Sequence, residues 1–147
     1  MTLSWDDYFA GLLAHVAIKS KDPNTKVGAV IVGPDKEIRS TGYNSFPRGL
    51  DDNVQARLER PEKYYWIEHA ERNAVYNAAR CGTQLKSCTL YCNSVPCIDC
   101  ARAVVQAGIA EVVVCDSTEI SHKERWGESA IRTEQLLKEC GVAVRHI

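Results

Sequence analysis

Two short stretches carry residue types able to do chemistry: His69-Ala70-Glu71 and Pro96-Cys97-Ile98-Asp99-Cys100. A Cys-x-x-Cys pair by itself fits a redox dithiol, half of a zinc site or a chance spacing. Pro96 narrows the choice, because proline is favoured just before or at the first helical turn, which puts both thiols in that turn. There the positive end of the helix dipole favours thiolates, the form that binds metal. Two thiolates need further ligands, and zinc is commonly held by two cysteines and one histidine when a catalytic fourth position stays open. His69 also lies at a helix start, and two such helices can bring their N-termini together beside a sheet. Zinc lowers the pKa of a bound water to about 7. Glu71 shares a helical turn with His69, so it can reach that water without being a ligand and carry protons between water and substrate.

The competing reading is a structural zinc site with an incidental Glu71. Structural sites are usually closed by four protein ligands, and no fourth is evident nearby. Cys92, five residues before Cys97, is the candidate; on a strand its neighbours Tyr91 and Asn93 face the other way, and it reads as a core residue. Cys81, Cys88, Cys115 and Cys140 lie in or beside apolar elements and read as core thiols. His15, His122 and His146 lack paired ligands and read as structural or solvated.

The rest of the chain must position these groups. Its 147 residues are 45% hydrophobic and 25% charged, which fits one globular domain over 1–147 with its own core. Seven cysteines is an odd number, and no export signal precedes them, so a disulfide framework is not expected. The opening MTLSWDDYF is unlike a secretory or transit segment, and the longest apolar runs, 27–33 and 112–115, are too short to span a bilayer. A cytoplasmic protein with no membrane partner is expected. Eighteen basic against 19 acidic residues leave a formal charge of −1, which argues against a general polyanion binder.

Ser4 with Asp7 reads as a capping box for a first helix with Trp5, Phe9, Leu12, Leu13, Val16 and Ala17 at helical spacing. Residues 27–32 and 38–43 form a β-hairpin around Gly33-Pro34-Asp35-Lys36. Residues 44–68 read as a long loop with a short helix, and loops of that length are often functional. A helix over 69–80 stops at Gly82, a strand covers 88–93, and a helix over 97–107 stops at Gly108. A buried strand over 111–115, a helix through Cys140 stopped by Gly141 and a strand over 142–147 complete the chain. Helical crossovers imply parallel strands. The expected architecture is a five-stranded mixed sheet with helices on both faces.

The spacing His-x-Glu with Pro-Cys-x-x-Cys is the signature of zinc nucleobase deaminases. From Asp22 onward the chain resembles the deoxycytidylate (dCMP) deaminase branch of the cytidine-deaminase-like superfamily. The stretches that carry this are Asp22-Pro-Asn-Thr-Lys-Val-Gly-Ala29, Thr41-Gly-Tyr-Asn-Ser-Phe-Pro-Arg-Gly49, Ile67-Glu-His-Ala-Glu-Arg-Asn-Ala74, Pro96-Cys-Ile-Asp-Cys100 and Gln106-Ala-Gly-Ile109. The resemblance implies a three-layer α/β/α fold and hydrolysis of dCMP to dUMP and ammonia, upstream of thymidylate synthesis. It implies Zn2+ on His69, Cys97 and Cys100, with Glu71 as the proton shuttle. It places Ala70 at the substrate, Asn44 on the sugar 3′-hydroxyl, and Asn24, Thr25 and Lys26 on the phosphate side, with Arg125 and Trp126 as weaker phosphate candidates. It also implies a homo-oligomer and a site for dCTP or dTTP as effectors. Ser45 stands where regulated members commonly carry glycine, which leaves that control and a modified-cytosine substrate open. No insertion rich in extra His and Cys points to a second zinc. The alternatives are a tRNA adenosine or other polynucleotide deaminase, a riboflavin-pathway or guanine deaminase, and a catalytically inactive zinc-stabilised nucleotide-binding module. The near-neutral charge disfavours nucleic acid as a partner.

Overall fold

In the computed structural model, the backbone is described for residues 1–115 and 119–147 and the side chains for residues 1–115 and 127–147. Helix α1 (Trp5–Ala17) begins where the Ser4 hydroxyl accepts the Asp7 N–H at 3.0 Å and donates to the Asp7 carboxylate at 2.7 Å. The hairpin strands β1 (Gly28–Val32) and β2 (Ile38–Tyr43) pair antiparallel. A 3-10 turn, Gln55–Leu58, and the single helical turn α2 (Lys63–Trp66) interrupt the long loop, and then follow α3 (Ala70–Cys81), β3 (Thr89–Cys92), α4 (Ile98–Gln106), β4 (Glu111–Val114), α5 (Glu119–Glu139) and β5 (Ala143–His146).

The strands form one sheet in the order β2-β1-β3-β4-β5. β1 is antiparallel to β2 and β3, whereas β3, β4 and β5 run parallel, as the helical crossovers α4 and α5 require. Alternation along the strands splits the core in two. Ala29, Ile31, Leu90, Cys92, Val112 and Val114 pack against α3, α4 and Leu137 of α5. Val30, Val32, Tyr91 and Val113 face Phe9 and Leu13 of α1. Both faces of the sheet are therefore covered, and β1 is buried along its whole length.

Gly42 has a specific job in this packing. A Cβ there would run into the backbone of Ala70 and Ala74, so its absence lets α3 lie close on β2. Two cysteines depart from the core reading: Cys81 and Cys140 are exposed, while Cys88 and Cys92 are buried and Cys115 is partly so. Cys81 closes α3, whose buried stripe is Ala70, Ala74 and Ala78, and Gly82 turns the chain away in a left-handed conformation. Cys140 sits at the corresponding end of α5, just before Gly141, also left-handed. Trp5 departs too: it is 55% exposed and stacks on Phe9 at 5.7 Å.

Candidate metal and active site

α3 and α4 start side by side, and their first residues make the site. His69 is the N-cap of α3 and Cys97 the N-cap of α4. Cys97 takes the cap position usually held by Ser or Asp: its sulfur accepts the Cys100 N–H at 3.5 Å. His69 Nδ1 lies 3.5 Å from the Sγ of Cys97 and 3.5 Å from the Sγ of Cys100. The three donor atoms all fall within 4.8 Å of one another. A tetrahedral zinc with ordinary Zn–S and Zn–N bonds needs a sulfur–nitrogen separation of about 3.6 Å, so this donor set fits the ion in both chemistry and spacing.

The thiols are electrostatically unequal. The Cys100 hydrogen bond and the His69 imidazole hold Cys97 well below the ordinary thiol value, and burial opposes them only in part. The same pairing, with burial, pushes Cys100 up. His69 is raised in turn, chiefly by its hydrogen bond to Cys97. Glu71, 6% exposed, stands 3.7 Å from Cys100 Sγ, and burial pushes its carboxyl above the ordinary 4.5. Arg72 ties the two helix starts together, bonding Glu68 at 2.6 Å through Nε and lying 3.7 Å from Asp99, between the two cysteines.

Cys92 does not join this group. It is fully buried in the core cluster under α3 and α4, and its thiol donates to the Ser94 carbonyl at 3.1 Å.

His69, Ala70, Glu71 and Cys97 line a cavity of about 310 Å³, the scale of a small-molecule site. Asn44 lines it too, but both ends of its carboxamide serve the backbone: Oδ1 accepts the Val27 N–H and Nδ2 donates to the Thr25 carbonyl, each at 2.8 Å. Thr25 reaches the cavity, whereas Asn24 and Lys26 are exposed and are not among its lining residues. The Lys26 ammonium donates to the Ser20 carbonyl instead. The side chains of His122, Arg125 and Trp126 lie outside the described residues.

Sequence reasoning missed Arg60, Lys63 and Tyr64, which also line this cavity. Lys63 is 5% exposed and pairs with Asp22 at 3.0 Å. No periodicity marks that stretch; the available signal was a pair of cations close before the histidine motif. A second cavity of about 630 Å³ adjoins the first, with Asp22, Asn44 and Ile67 lining both. Ser45 lines the second cavity with a backbone outside the left-handed region, and its hydroxyl accepts from Asn73 at 3.1 Å, so the side chain fits without strain.

A Cys2His donor set at two helix starts, with a buried glutamate beside it but outside that set, defines a hydrolytic zinc deaminase site. The chain belongs to the cytidine and deoxycytidylate deaminase zinc-binding family, whose model matches residues 3–116. Human deoxycytidylate deaminase is 36% identical over 148 residues, covering 97% of this chain and 79% of that protein. A deaminase of Aliivibrio fischeri from the luxG 3′ region is 35% identical over 144 residues, covering 98% and 94%. The dCMP deaminase of cyanophage S-TIM5, solved with dCMP and dUMP, superposes with a TM-score of 0.78 at 23% identity, covering 100% of this chain and 99% of that one. The fold is thus the three-layer α/β/α arrangement of the cytidine-deaminase-like proteins.

Proposed function

We propose that the chain is a zinc-dependent dCMP deaminase that converts dCMP and water to dUMP and ammonia, as one catalytic domain over 1–147. The observation that carries this reading is Glu71, buried and 3.7 Å from Cys100 Sγ, in the wall of the cavity that His69 and Cys97 also line. Relatives named deoxycytidylate deaminase support the choice of substrate. When bound on His69, Cys97 and Cys100, zinc supplies Lewis acidity and lowers the pKa of water. Glu71 takes one proton from the attacking water and delivers it to N3 of the base. It then takes the remaining proton from the oxygen added at C4 and passes it to the amine, which leaves as ammonia while the C4 carbonyl forms. The cavity wall at Ala70 and Asn44 orients base and sugar, while Asn24 and Lys26 frame the loop that brings Thr25 to it.

The 630 Å³ cavity is the place for a dCTP or dTTP effector, with Ser45 and Arg48 in its wall. A cytoplasmic homo-oligomer acting on free nucleotide, with no nucleic acid partner, completes the proposal. The test is a panel of dCMP, CMP, deoxycytidine, dCTP, 5-substituted dCMP, RNA and single-stranded DNA, each with and without dCTP or dTTP. Release of ammonia from dCMP, and not from either polymer, is expected; the reverse overturns the reading.

A further inference from the structure

We propose that Arg60 and Lys63 receive the 5′-phosphate of the substrate and so make the site one for nucleotides rather than nucleosides. The proposal rests on the deaminase reading above. A phosphate needs cations or free backbone amides. In the segment just before β1, Asn24 and Lys26 do not line the cavity. The N–H groups of Asn24 and Thr25 are bound to Asp22 Oδ1 at 2.9 and 3.2 Å, and the Lys26 ammonium is bound to Ser20. With the metal ligand His69 set aside, the cationic side chains among the described residues of the cavity wall are Arg60 and Lys63.

Their states are complementary. Lys63 is buried, and Asp22 Oδ2 takes one of its three N–H donors at 3.0 Å, which leaves others for a ligand in the cavity it lines. A buried ion pair adds little stability over well-packed apolar groups, so an ammonium held in a cavity wall points to a binding role. Asp22 fixes that ammonium and the 22–25 turn at once, through its two oxygens. Arg60 is exposed and has no hydrogen-bond or ion-pair partner among the described residues, so its planar fork is available for bidentate contact with phosphate. Both precede His69 by fewer than ten residues, on a segment that walls the cavity.

The deciding experiment compares kcat/KM for dCMP and for deoxycytidine in the zinc-loaded enzyme and its Arg60→Ala, Arg60→Lys and Lys63→Met variants. Calorimetric binding of dUMP and deoxyuridine is measured alongside, with zinc content as a check. Arg60→Ala is expected to lower kcat/KM for dCMP about ten- to a hundredfold through KM, the worth of a charge-assisted hydrogen bond, and to weaken dUMP in step. Deoxycytidine and deoxyuridine are expected not to change, and Arg60→Lys should recover part of the loss. An unchanged dCMP-to-deoxycytidine ratio in Arg60→Ala overturns the proposal, even if Lys63→Met fails to fold. Wild-type enzyme that turns over neither substrate overturns the deaminase reading instead, and the dUMP-to-deoxyuridine binding ratio then judges the phosphate site alone.

Discussion

Gly42 of β2 lies against Ala74 of α3 so closely that a Cβ on the glycine would overlap the Ala74 amide. The obstacle is helix backbone, which cannot swing aside as a side chain can. Gly42→Ala is therefore expected to destabilise the protein by about 1–3 kcal/mol in urea unfolding, the usual cost of overpacking. It should also weaken zinc retention, since α3 carries His69. Gly11 in α1 is the control, with nothing within 4 Å of its added Cβ. Gly11→Ala should stabilise by about 0.5–1 kcal/mol. Equal effects at the two positions would show that α3 has room to move.

Glu71 is placed as the proton carrier and not as a ligand. Glu71→Ala is expected to keep one zinc per chain and to lose about a hundred- to ten-thousandfold in kcat. Zinc analysis and ammonia release on the same preparation separate the two roles. Undiminished deamination sinks the assignment of Glu71.

The three donors that the structure brings together, His69, Cys97 and Cys100, were legible in sequence because each sits at a helix start marked by local rules. Pro96 marks the start of α4, and three residues of spacing put Cys97 and Cys100 in one turn. The hairpin, the helix stops at Gly82, Gly108 and Gly141, and the parallel half of the sheet followed from equally local signals. The cavity wall at Arg60 and Lys63 was not legible, because it is made by chain return. Ser45 and Glu68 pair backbone to backbone at 3.1 and 2.8 Å, closing the loop on itself and bringing Arg60 and Lys63 to the cavity. Nothing in the loop's composition encodes that closure. Asn44 illustrates the same limit, since its sequence motif does not reveal that Val27 and Thr25 already engage its carboxamide.

Cys92 and Cys97 offer a direct contrast between a packed thiol and a ligand. Cys97→Ser should lose most bound zinc, measured by atomic absorption, because a hydroxyl is a poor replacement for thiolate. Cys92→Ser should retain zinc and lose stability, since it puts a hydroxyl into the core beside Leu90 and Val114. Zinc loss confined to the Cys92 variant would exchange their roles.

Asp22 makes stability depend on acidity in a predictable sense. Burial alone would raise its carboxyl, but the N–H groups of Asn24 and Thr25 and the Lys63 ammonium outweigh it and hold Asp22 below the ordinary 3.8. A depressed carboxylate stabilises the folded state at pH values above its unfolded value, and that stabilisation is lost as pH falls through the folded one. Asp22→Asn should cost about 3–5 kcal/mol at neutral pH, because it strands the Lys63 charge in the interior. Below pH 3.8 the wild-type carboxyl begins to take up its proton, so the gap between wild type and variant should narrow with further acidification. Urea unfolding of both proteins at stepped pH checks the sign. A gap that widens in acid would mean that the pair opposes folding, and that Asp22 is held in place by the cavity's ligand chemistry alone.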